Sequence, residues 1–226
     1  MYKSRLIIAY LVGLHLLAAV LVFKTDFIPK AKAHLLPMSM WPNPHGQRMV
    51  GYHQAMDASV PAGAAIFLGD SITQGLAVAA VSKFPVNYGI SGATTSELLG
   101  NLPKYQSVKR ASVVFLMIGI NDLGQGKIEG LADRLNAIGS AIPQGLPLVW
   151  SGIMPTYVGD VDQHQIDAAN AVIQGICAAR AKCTYVNTQV IFSEEGAALF
   201  RDGVHLNDQG YAKWITALRD ASKLIQ

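Results

Sequence analysis

Five short apolar runs recur along this chain, at residues 64–68, 85–88, 112–118, 148–152 and 184–187. Each is followed by a turn and then by a stretch with helical character, near 73–82, 95–102, 128–141, 162–181 and 208–224. The first, 64–68, is apolar throughout, as suits a strand covered on both faces, and parallel strands require crossovers of about this length. The alternation predicts an α/β fold in which one parallel five-stranded sheet lies between two helical layers. With 226 residues the chain can hold one such domain with a substantial core and little more. Half of its residues are apolar, which excludes a disordered chain.

The first strand ends in Gly69-Asp70-Ser71-Ile72-Thr73, which places a serine where strand hands over to helix. A hydroxyl there sits at the carboxyl edge of the sheet, where open α/β sheets bind ligands. It also sits at a helix N-terminus, whose N–H groups favour developing negative charge. Taken alone, Asp70-Ser71 is more readily read as an ordinary helix cap. Far downstream stands Asp202-Gly203-Val204-His205. An Asp three residues before a His can curl back onto Nδ1, which leaves Nε2 free as a base toward a serine. Between the two lie Gly89-Ile90-Ser91-Gly92 and Ile118-Gly119-Ile120-Asn121-Asp122, each directly after a predicted strand. Gly92 can offer a backbone N–H, and Asn121 a side-chain amide, to an oxyanion. Asp70 and Asp122 are placed to shape turns.

In this order, those blocks resemble the SGNH (GDSL) hydrolase family from about Ala64 to Lys223. The first block falls on Gly69-Asp70-Ser71, the second on Gly92, the third on Gly119, Asn121 and Asp122, and the last on Asp202 and His205. The rival serine-hydrolase pattern Gly-x-Ser-x-Gly is not met, because Thr73 stands where its second glycine would be. The resemblance implies a three-layer α/β/α sandwich of flavodoxin-like type with strand order 2-1-3-4-5. It implies a carboxylic ester hydrolase with Ser71 as nucleophile, His205 as base and Asp202 as its partner. The oxyanion hole would be formed by the N–H groups of Ser71 and Gly92 and the amide of Asn121. No cofactor and no metal is expected for this chemistry.

The loop after the fourth strand, Ile153-Met154-Pro155-Thr156-Tyr157, lies at the same sheet edge, so Met154 and Tyr157 are candidates to line a substrate pocket, with plain packing the alternative. The substrate class stays open among small-molecule, lipid and glycan esters, including O-acetyl carbohydrate and lysophospholipid types. Transfer of the acyl group to a sugar hydroxyl is a second reading, and a non-catalytic, membrane-tethered binding protein a third.

The formal charge of +3 is concentrated in the leader: beyond Ala33 the chain carries 13 basic and 14 acidic residues, and nothing suggests a nucleic-acid groove. Leu6 to Phe23 is an uncharged run of 18 residues, which as a helix would rise about 27 Å, enough to cross a hydrocarbon core. The expectation is a membrane anchor or signal segment over residues 1–33, a membrane-proximal segment over 34–60 and the hydrolase domain over 61–226. A bacterial-type inner membrane with the domain in the periplasm follows. Ala31-Lys32-Ala33 offers a cleavage site that would instead release a periplasmic or secreted enzyme. Cys177 and Cys183 could close a small disulfide or remain buried thiols. His45 and His53, eight apart in the Pro-rich segment, are too few for a structural metal site by themselves.

Overall fold

The computed structural model describes residues 10–16, 20, 44–159 and 161–225. The chain divides into two compact units, Met1–Pro42 and Asn43–Gln226. In the first unit residues 10–16 and 20 are helical. The apolar run of residues 6–23 otherwise lies outside the described residues. No helix among the described residues is long and apolar enough to cross a membrane.

The second unit opens with helix α1 (Pro44–Asp57) and continues through β1 (Ala65–Gly69), α2 (Ser71–Gln74), β2 (Pro85–Gly89), α3 (Thr95–Asn101), β3 (Val113–Met117) and α4 (Ile120–Gly124). It closes with α5 (Leu131–Ala141), β4 (Leu148–Ser151), α6 (Gln163–Ala178), β5 (Cys183–Val186), α7 (Thr188–Phe192) and α8 (Asp208–Lys223). All strand pairs are parallel and the order is β2-β1-β3-β4-β5, as the family resemblance implies. Because side chains alternate across a strand, each central strand feeds two cores. Ile66, Leu68, Val114, Leu116, Leu148 and Trp150 face the layer of α3, α5 and α6. Phe67, Phe115, Met117 and Val149 face that of α7 and α8. On this second face Phe67 and Phe115 stack with centroids 4.4 Å apart, and Trp214 of α8 donates its indole N–H to Ser151 Oγ at 3.0 Å. The consequence for the site is geometric: every βα turn emerges at one edge of the sheet.

The helix expected over 73–82 is the main departure. Instead, α2 stops at Gln74, and a separate 3₁₀ turn occupies Val78–Ala80. The amide of Asn87 on β2 donates to the carbonyl of Thr73 at 2.8 Å and also reaches that of Leu76. These carbonyls are satisfied from outside, so the helix can end there. The expectation for the third helix is also shortened, since Gly130 takes a left-handed conformation at φ 66° and α5 starts only at Leu131.

Cys177, near the end of α6, and Cys183, the first residue of β5, are disulfide-bonded across a Cα–Cα distance of 5.0 Å. Their bridge closes the αβ turn beside Arg180, whose guanidinium donates to the carbonyls of Gly139, Ile142 and Pro143 at the end of α5.

Helix α1 belongs to the domain unit and is fastened by a buried polar cluster. Asp57 accepts hydrogen bonds from Tyr88 Oη at 2.8 Å and from the backbone and hydroxyl of Ser107. Burial opposes the charge on Asp57, but these bonds hold its carboxyl below the usual range. His53 packs against Tyr88 and Tyr105 and is 3% exposed. Burial lowers its pKa to about 4. As pH falls from about 6.5, where a free histidine titrates, toward 4, the unfolded chain takes up a proton that the folded chain refuses. Stability should therefore decline with acid across that window. Between pH 7 and pH 5, urea melts should find His53→Gln gaining stability relative to the wild type; parallel curves would remove His53 from the account.

Candidate active site

At the end of β1 the backbone of Gly69 runs so close to Thr73 and to the carbonyl of Met117 that a Cβ at position 69 would collide with both. The absence of a side chain lets the chain reverse at once into α2, and this turn presents Ser71. Asp70 caps the helix, with Oδ1 accepting the Ile72 N–H at 3.0 Å. From the other side, Tyr211 of α8 donates its hydroxyl to the carbonyl of Ile72 at 3.0 Å.

The segment before α8 brings His205 to Ser71. Asp202 folds back on itself: Oδ1 accepts the N–H groups of Val204 at 3.1 Å and His205 at 2.8 Å. Its Oδ2 lies 2.8 Å from His205 Nδ1, and His205 Nε2 lies 2.9 Å from Ser71 Oγ. A carboxylate can only accept, so the proton belongs on Nδ1 and Nε2 is left to accept from the serine hydroxyl. The backbone N–H of His205, its ring N–H and the N–H of Val204 hold the Asp202 carboxyl well below the usual carboxylate range. Gly203 makes this loop possible. Its φ is +83°, and a side chain there would strike Val158 and the Tyr157 backbone. Its carbonyl accepts from Tyr157 N–H at 2.8 Å and Thr156 Oγ1 at 3.0 Å, which ties the loop after β4 to the one carrying the histidine.

Gly92 and Asn121 come from the turns after β2 and β3. The Ile90–Ala93 turn is closed by a hydrogen bond from Ala93 N–H to the Ile90 carbonyl, and Asn121 Nδ2 donates to the Ala93 carbonyl at 2.9 Å. An amide nitrogen carries two hydrogens, so this bond orients Asn121 and leaves a second donor for a ligand oxygen.

Of the two pocket candidates, Tyr157 is 45% exposed beside Phe200, whereas Met154 is 1% exposed within the apolar layer under the site. The buried thioether packs the floor, because the loop after β4 turns inward at Ile153. That turn was not legible in the sequence. Asn170 of α6 makes two hydrogen bonds to the Ile153 backbone, and Thr188 donates to its carbonyl. For Asn170 the sequence signal was a polar residue on the otherwise apolar buried face of α6. Among the described residues no group of three or more His, Cys, Asp or Glu side chains gathers as a metal site would. His45 lies 3.3 Å from Gln74 Oε1, while His53 sits in the α1 cluster.

Asp70 is wholly buried, and its Oδ2 has no hydrogen-bond partner among the described residues. Burial, reinforced by the charge of Asp122, raises its pKa to about 7. The folded protein thus keeps a proton that the unfolded chain releases near pH 4, so stability falls as pH rises from about 4 to about 7. Asp70→Asn preserves the capping oxygen and removes the titration. Denaturant melts should find the variant gaining on the wild type between pH 5 and pH 8; parallel curves would show that Asp70 does not titrate in this range.

A family model of GDSL-like lipases/acylhydrolases matches residues 67–213. No curated protein matches the sequence. Several solved structures share the fold. A candidate platelet activating factor from Streptococcus pneumonia is 22% identical with a TM-score of 0.70, covering 79% of this chain and 92% of its own. A lipase/acylhydrolase from Enterococcus faecalis is 19% identical at 0.62, covering 73% and 97%. A catalytic mutant of an acetylxylan esterase from Geobacillus stearothermophilus is 20% identical at 0.59, covering 71% and 94%.

Proposed function

From the premise that the chain belongs to the GDSL-like lipase/acylhydrolase family, we propose that it is a serine esterase working through Ser71, His205 and Asp202. The observation that carries this reading is the unbroken relay of 2.9 Å and 2.8 Å contacts from Ser71 Oγ through the imidazole to Asp202. Ser71 Oγ attacks the ester carbonyl as its proton passes to His205 Nε2, and Asp202 stabilises the imidazolium. The oxyanion is met by the N–H groups of Ser71 and Gly92 and the free hydrogen of the Asn121 amide. As the carbonyl re-forms, the C–O bond to the alcohol breaks and the departing oxygen takes the proton from Nε2. Water then attacks the acyl-enzyme by the same steps, returning the acid and free Ser71.

For the acyl group and alcohol, the reading is an O-acyl or O-acetyl carbohydrate or a lysophospholipid-type ester. The acetylxylan esterase among the similar structures favours the carbohydrate side. An acyltransferase differs only in which hydroxyl attacks the acyl-enzyme. We further propose that residues 6–23 tether the domain to a membrane, with envelope glycans or lipids within reach. N-terminal sequencing of the native protein separates a retained anchor from a signal cleaved near Ala33.

Ser71→Ala and His205→Ala should each abolish esterase turnover without unfolding the domain, because such residues act as one unit. Asn121→Ala should lower kcat by about 100-fold or more with little change in KM. A panel of acyl donors, run with and without sugar acceptors, reads out both hydrolysis and transfer. A Ser71→Ala enzyme retaining a tenth of wild-type kcat would reject the nucleophile, and acylated sugar as the main product would favour the transferase.

A further inference from the structure

Asp122 is a wholly buried carboxylate that the esterase mechanism leaves without a task. It follows Asn121 directly in the chain, yet its bonds run to a different loop. Oδ2 accepts the Thr95 N–H at 2.8 Å and Oδ1 accepts the Thr95 hydroxyl at 2.6 Å. Thr95 is the first residue of α3, three positions beyond Gly92. On α5, Arg134 completes the arrangement. Its Nη2 lies 3.3 Å from Asp122 Oδ1, and its Nε donates to Thr95 Oγ1 at 2.8 Å. The rest of the guanidinium donates to the carbonyls of Glu129 at 2.8 Å and Lys127 at 2.7 Å, which fixes the loop leading away from α4. Lys127 in turn donates its N–H to the carbonyl of Asp122 at 2.8 Å.

We propose that Asp122, Thr95 and Arg134 form a clamp holding the turn after β2 and the turn after β3 in register, and so set the spacing between the two oxyanion donors, Gly92 N–H and the Asn121 amide. The proposal rests on the esterase reading above. A second tie between the same two turns is the bond from Asn121 Nδ2 to the Ala93 carbonyl. Without the clamp, this neutral bond between two loops would be the nearer of the remaining ties. The two donors must converge on one oxygen within a few tenths of an ångström to act together. Charge-assisted bonds to a buried carboxylate are stiffer than neutral ones, which suits a part whose task is geometry. Arg134 suits it for the same reason. Its planar fork bonds Thr95, Asp122 and two carbonyls at once, which a lysine could not do. None of the three residues is assigned to touch substrate; they are positioning residues.

The test is a set of double-mutant cycles against Asn121→Ala on a soluble ester, with the fold of each variant checked by near-ultraviolet circular dichroism. Thr95→Val, Arg134→Gln and Asp122→Asn should each lower kcat by about ten- to hundredfold while KM stays within about twofold. Thr95→Ser, which keeps the hydroxyl, should restore most of the loss. In the Asn121→Ala background the same substitutions should cost less than about threefold, because the geometry they protect has already lost one donor. If Asp122→Asn does not fold, Thr95→Val and the partly exposed Arg134→Gln carry the test. Full, additive losses in the Asn121→Ala background would overturn the clamp and leave the oxyanion hole standing. If Asn121→Ala itself left kcat unchanged, the oxyanion assignment beneath the proposal would be what failed.

Discussion

The arrangement depends on how tightly the chain can turn at the end of β1. Gly69 brings the backbone against Thr73 and the Met117 carbonyl with no room for a side chain, and the helix that follows begins two residues later. Only that abruptness puts Ser71 on the rim of the sheet. There the turns after β2 and β3 and the segment before α8 can reach it. A strand that ran on for one more residue would carry the hydroxyl toward the opposite face of the sheet, away from His205. The neighbouring features read as supports for this turn. Asp70 caps it, Tyr211 braces it from α8, and Asn87 absorbs the carbonyls where α2 ends.

Much of this was legible before the structure. The alternation of apolar runs and helical stretches fixed the layer architecture, since parallel strands buried on both faces leave few other arrangements. The motif blocks located Ser71, Gly92, Asn121, Asp202 and His205, and the structure gathers them at one edge. What the sequence concealed lies in side chains that bond to distant backbone. Residues 73–82 look like one helix, and only Asn87, on another element, shows why the helix ends at Gln74. Met154 and Tyr157 look equivalent on one loop, until Asn170 and Thr188 pull Ile153 inward and bury the methionine. Arg134 has no motif at all; its part is visible only once α5 is packed beside α3.

Two buried acids, Asp70 beside Ser71 and Asp122 beside Asn121, are held in opposite ways. Asp122 is surrounded by donors, whereas Asp70 spends one oxygen on a cap and leaves the other without a partner, so that burial raises its pKa to about 7. An unpartnered buried carboxyl is costly when charged, and keeping its proton is the cheaper state. Ser71 therefore follows directly a carboxyl that burial holds toward its neutral form, while Asp122 is held by the donors of Thr95 and Arg134.

The central claim is that Ser71 is the nucleophile and that His205 makes it one. Treating the protein with a fluorophosphonate and mapping the adduct by peptide mass spectrometry tests this most directly, because the reagent phosphonylates an activated serine and needs no knowledge of the natural ester. The account predicts one adduct per chain, on Ser71, formed in step with loss of esterase activity and largely absent from His205→Ala. Modification of a different serine, or an active enzyme that never labels at Ser71, would contradict it.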